Sequence, residues 1–197
     1  MGNGSRAQMQ TFKQLPDSVS IIRTGGRVWG EVGPSFNDRF YQSMGRPAYM
    51  WINWPCSDNT KDGLIMGGAE AVLKPNVNPL TVEGIVLNPM QQSEPSKEAL
   101  FTNADYAWNI WKEASKYNQV WHDSFNYMDH GTIYDTPASI ALRELSKHMM
   151  NSQQIGNDES VELKNLMTNF ISDLNAGNDI IAKADELIAE FKLLQDS

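Results

Sequence analysis

The sequence predicts an α/β fold with a parallel sheet, followed by an all-α segment. Three observations predict it. Short apolar runs end in polar or loop residues and read as strands buried on both faces. Segments of helical spacing alternate with those runs. The composition then changes near residue 118: five of the six tryptophans precede it, and long helical periodicities follow. This assigns residues 1–118 to an α/β part and residues 119–197 to a helical part.

The predicted strands are VSIIRTGG (19–26), PAYMWINW (47–54) and VEGIVLNP (82–89). Helical spacing between them is clear in FNDRFYQSM (36–44) and weaker from Gly67 to Leu73. After the third strand, Ala99, Leu100, Ala104, Ala107, Trp108 and Trp111 follow Pro95 at helix spacing. Thr136 before Pro137 is an N-cap followed by a first-turn proline. The stripe behind it runs through Ala138, Ala141, Leu142, Leu145 and Met149. Two further stripes, Val161 to Leu174 and Ile180 to Leu194, are joined by NAGND and predict an antiparallel helical hairpin with Gly177 as the stop.

The net charge of -8 argues against a nucleic-acid footprint. No run of about 18 apolar residues predicts a membrane span, and MGNGSRAQMQ lacks the apolar core of a signal peptide. Cys56 is the only cysteine, has no evident histidine partner, and reads as a buried, unreactive thiol. TGGRVWG (24–30) clusters glycines but has no phosphate-loop lysine. HDSFNYMDH (122–130) offers His122, Asp123, Asp129 and His130 to a metal, but a solvated loop or cap is the expected reading. Met149 and Met150 read as core or partner-facing apolar residues.

The run MWINWPCSD (50–58) asks for a different explanation. Ligands of parallel sheets sit at the carboxyl ends of the strands. Asn53 and Asp58 fall at one such end, Asn88 at the next and Thr24 at the first. Asparagine brings a donor and an acceptor, aspartate brings acceptors, and tryptophan offers a flat apolar face. Sugars present hydroxyls and C–H faces that match this set. The competing reading has Asn53 and Asn88 bonding loop backbone while Trp51 fills core. Trp51 and Trp54 are three apart, so a bend at Pro55 lets either face the mouth.

The ordered motifs Trp51-x-Asn53-x-Pro55-x-x-Asp58, Met66-Gly67, Asn88-Pro89-Met90, Glu94-x-Ser96-Lys97 and Ala104-Asp105-Tyr106-x-Trp108-Asn109 resemble glycoside hydrolase family 84, the bacterial β-N-acetylglucosaminidases and hyaluronidase-named relatives. IIRTGGRVWGEV resembles the strand before them, with Arg23 in place of the usual tryptophan. The likeness covers about residues 8–115; the tail is similar, less specifically, to the bundle that follows the barrel.

The resemblance implies the last strands of an incomplete (β/α)8 barrel plus a C-terminal helical bundle. It implies Trp51 as a wall for the N-acetyl group and Asn53 near the reacting end. Asp58 and Asn88 would bind ring hydroxyls, and Trp108 would line the mouth. It implies substrate-assisted hydrolysis with an adjacent Asp-Asp pair on an earlier strand. No Asp-Asp occurs in this sequence, so no residue is assigned as catalytic and the chain alone is expected to be inactive. No cofactor or metal is implied. The expected partners are N-acetylglucosamine-containing glycans and the missing N-terminal half of the barrel, with no nucleic acid and no membrane. The family implies a secreted bacterial enzyme. Two alternatives remain: a non-catalytic N-acetylglucosamine-binding module, or a helical interaction module.

Overall fold

Strands β1 (Ile22–Arg23), β2 (Ala48–Ile52) and β3 (Val82–Leu87) form one sheet in that order, and both pairings are parallel. The computed structural model describes residues 6–57, 63–151 and 159–196. The helices are α1 (Arg6–Phe12), α2 (Pro34–Met44), α3 (Ser96–Trp108), α4 (Lys116–His130), α5 (Pro137–Ser146), α6 (Val161–Ala176) and α7 (Ile181–Asp196). None of the described helices is long and apolar enough to cross a membrane.

All three expected strands form, but among the described residues helices cover one face only. Ala48, Met50 and Ile52 are buried on the helix side, whereas Tyr49 and Trp51 between them are not. Met50, Ile52 and Trp54 pack with Tyr106 of α3 and Val120 and Phe125 of α4 in one buried cluster. That cluster crosses the composition break near residue 118. On the other face Ile22 is 49% exposed. The outer edges of β1 and β3 have no strand partner among the described residues. The apolar runs therefore carry more hydrophobic surface than the described residues cover.

The helix expected from Gly67 to Leu73 is reduced to one 3-10 turn, Ala69–Ala71. Gly68 before it is extended, and Pro75 disfavours helical backbone at Lys74. The segment pairs with the chain after β1 instead: Val32 N donates to Val72 O (2.7 Å) and Lys74 N to Val32 O (2.9 Å).

The larger correction is α4. HDSFNYMDH, expected as a solvated loop or cap, is the second half of a helix that runs to His130 and stops at Gly131, φ 73. Tyr117, Trp121, Phe125 and Met128 supply a four-four-three spacing that reveals the helix once the histidines are set aside.

The cap at α5 forms as expected: Ser139 N donates to Thr136 Oγ1 (3.1 Å), and Thr136 N donates back to Ser139 Oγ (2.9 Å). Helices α6 and α7 pack on each other and are linked by Lys183 Nζ to Asp173 (2.7 Å). No residue of α6 is buried.

Candidate functional site

The register decides which side chains share a face. Ile22 lies beside Tyr49, Trp51 beside Val86, and Ile52 beside Leu87. Successive side chains alternate across a strand. Tyr49, Trp51 and Asn53 therefore line up with Ile22 and Thr24 on one flank and with Gly84, Val86 and Asn88 on the other. This is the face the helices leave open. Because the strands are parallel, Thr24, Asn53 and Asn88 all lie at the same edge of the sheet. Tyr49 lies across the third strand: a Cβ on Gly84 would fall 2.4 Å from its ring.

Asn53 is the hub of this edge. Its Oδ1 accepts from Trp51 Nε1 (2.7 Å) and from Asn88 Nδ2 (2.9 Å), and its Nδ2 donates to Val28 O (2.7 Å). Asn88 N completes the junction by donating to Ile52 O (2.8 Å). The donors fix which way the Asn53 amide faces, because an indole N–H can only donate. Both readings of the sequence thus meet in one residue. Asn53 does bond loop backbone, yet it also ties Trp51 and Asn88 to it. Trp51 does not fill core; it is 38% exposed with its indole edge anchored. The tryptophan that fills core is Trp54, 1% exposed, on the helix side of β2, with Nε1 donating to Gly67 O (3.0 Å).

The glycine cluster that precedes Val28 has a role unrelated to phosphate. A Cβ on Gly25 would meet Glu31 backbone at 2.2 Å, and one on Gly30 would meet Gly25 backbone at 2.2 Å. The two glycines pinch the base of the loop, and the pinched loop presents Val28 O to Asn53. The sequence signal was the glycine pair itself; its partner across the loop is visible only in the fold.

Beside β2, residues Ile65 to Gly67 form a buried strap. Ile65 N contacts Met90 Sδ (3.3 Å) and Gly67 O accepts from Trp54, so the strap touches neighbours of both asparagines. Its other side is held from the helices, by Trp121 Nε1 donating to Met66 O (2.8 Å) and by Met66 N donating to Met149 O (2.6 Å). Trp121 and Met149 were not expected near the strand tips.

The other candidates fall elsewhere. Asp58 lies outside the described residues. Trp108 is the last residue of α3 and is 93% exposed. That helix starts beside the tips, where Ser96 Oγ donates to Met90 O (3.1 Å), and runs about 18 Å to Trp108 at 1.5 Å per residue. The structure brings Trp51, Asn53 and Asn88 together and leaves Trp108 apart from them. His122 lies 3.4 Å from both Asp123 and Asp135, and His130 pairs with Asp129 (3.1 Å). Among the described residues no three histidine, cysteine or acidic side chains are arranged so that they could hold a metal ion. Cys56 is buried and free.

The site described is uncharged. The strongly perturbed acid lies behind the sheet: Glu98 of α3 is fully buried, and neither carboxyl oxygen has a well-formed hydrogen bond. Burial first, then repulsion from Glu70, pushes its carboxyl far above the usual range, and the Thr102 hydroxyl offsets only part of this. Arg23 occupies the place of the expected tryptophan and lies 4.0 and 3.9 Å from the Phe36 and Phe40 ring centres. Burial lowers its guanidinium to about 10.

Parallel strands that end in an amide-and-indole cluster at their carboxyl edge, with helices on one face, define a βα-type fold. A β-N-acetylglucosaminidase family model matches residues 1–161, and the chain belongs to that family, glycoside hydrolase family 84. Among solved structures, CpGH84D is 31% identical with a TM-score of 0.81; the match covers 95% of this chain and 30% of that one. CpGH84B (22% identity, TM-score 0.72) and an O-GlcNAc hydrolase mutant of Thermobaculum terrenum (22%, 0.75) share the fold. Those matches cover 96% and 97% of this chain, but only 32% and 40% of the two relatives. The chain thus spans well under half the length of each.

Proposed function

We propose that this chain supplies the sugar-binding side of a family 84 β-N-acetylglucosaminidase that uses substrate-assisted hydrolysis, and that it does not hydrolyse glycosides by itself. The observation that carries the reading is the Asn53 hub. One amide orients both the indole of Trp51 and the amide of Asn88, on an open face at the strand tips. The Trp51 ring offers a surface for the C–H face or methyl group of an N-acetyl sugar. Asn88 Oδ1 accepts from no described residue and remains free for a hydroxyl. Asp58 joins the set by family likeness.

The lack of turnover follows from the chemistry. Substrate-assisted cleavage needs one group to orient the acetamide and another to protonate the leaving oxygen. The sequence contains no Asp-Asp pair. Asp58, committed to hydroxyls, cannot do both. The outer edges of β1 and β3, which no described strand pairs, support the remaining barrel strands as the natural partner, since exposed edges otherwise invite aggregation.

Two assays test this. Titration with N-acetylglucosamine should quench tryptophan emission in the wild type and much less in Trp51→Phe; an equal response in both would overturn the site. A fluorogenic β-N-acetylglucosaminide should show no turnover. Turnover that disappears in Asp58→Ala would overturn the claim of inactivity.

A further inference from the structure

We propose that Trp121 of α4 is a positioning residue for the strand-tip site, acting through the Ile65–Gly67 strap. This rests on the sugar-binding reading and adds the helical part of the chain to it. Ile65 and Met66 are 1% and 2% exposed, so the strap is sealed between sheet and helices. A buried backbone carbonyl needs a partner, and leaving one unmade costs more than a typical bond is worth. Met66 O has that partner in the Trp121 indole. On its inner side the strap grips Trp54, the residue next to Asn53, and Met90, two residues past Asn88. Any shift of Met66 therefore reaches both strand tips together. Trp121 is itself fixed by its edge-on contact with Phe125, ring centres 4.8 Å apart. It has no hydrogen bond to Trp51, Asn53 or Asn88, so it acts only by placing the strap.

The test uses Trp121→Phe in the full chain, which keeps an aromatic ring against Phe125 and removes the indole donor together with part of the side-chain volume. The Asn53 and Asn88 side-chain amide signals are followed by NMR, assigned by their loss in Asn53→Asp and Asn88→Asp. Tyr106→Phe is the control; it removes a comparable bond, Tyr106 Oη to Lys74 O (2.8 Å), outside the strap. Trp121→Phe should move both amide signals and weaken N-acetylglucosamine binding about five- to tenfold, the size of one hydrogen bond. Tyr106→Phe should lower the melting temperature without either effect. Unmoved amide signals in Trp121→Phe, or equal movement in Tyr106→Phe, would overturn the proposal. If the wild type binds no N-acetylglucosamine, the sugar reading fails while the amide signals still decide the positioning role.

Discussion

Replacing Asn53 with alanine removes three hydrogen bonds at once: those from Trp51 and Asn88, and the one to Val28. A net worth of about 1 kcal/mol per bond would put the loss near 3 kcal/mol. The partners are not sealed, however. Trp51 and Val28 are exposed and Asn88 is half-buried, so water replaces much of what is lost. The expected cost is therefore about 1–2 kcal/mol. The decisive quantity is coupling. In a double-mutant cycle with Trp51→Phe, which deletes the donor but keeps an aromatic ring, the two losses should fall short of additivity by about 0.5–1.5 kcal/mol. Urea unfolding followed by far-ultraviolet circular dichroism gives each corner of the cycle. Coupling below about 0.3 kcal/mol, the scatter of independent sites, would refute the hub.

Other outcomes follow from single contacts. Gly30→Ala places a methyl group against the Gly25 backbone; it should open the loop, withdraw Val28 O from Asn53, and cost about 1–3 kcal/mol in chemical denaturation. Thr136→Ala should lose about 1 kcal/mol of stability with no change in sugar binding, because it removes the α5 cap and the hydroxyl's bond to Asp129, neither of which touches the strand tips. Glu98→Gln tests the buried acid. Folding raises this carboxyl, so its contribution is fully present below the unfolded carboxyl range near pH ~4.3 and is lost as pH rises through the folded value. The variant should gain on the wild type as pH increases, by about 1.4 kcal/mol for each unit by which folding raises the group. Parallel stability–pH curves for the two proteins would show that Glu98 does not titrate in this way.

The sequence determined a good deal by itself. Three apolar runs ending in Thr24, Asn53 and Asn88 were enough to predict parallel strands, because such runs suit a covered sheet and the polar residues end them. Thr136-Pro137 and Gly177 fixed helix boundaries through purely local backbone chemistry. The ordered motifs carried the family. Local pattern was not enough for α4, where polar and titratable residues drew attention from the Tyr117–Met128 stripe. It was also not enough for residues 67–73, whose backbone found a partner in Val32 rather than in a helix of its own.

Only the tertiary structure decided how the site is built. Strand parity sent Trp51 to the open face and Trp54 into the core, a choice that a three-residue spacing leaves undetermined. Cross-strand register made Asn53 and Asn88 partners although 35 residues separate them. The length of α3 carried Trp108 away from the tips. The pinch of Gly25 against Gly30 depends on how the loop between them closes on itself, and the reach of Trp121 to Met66 joins residues 55 apart in the chain. Such contacts depend on how elements pack in three dimensions, and no local propensity encodes them.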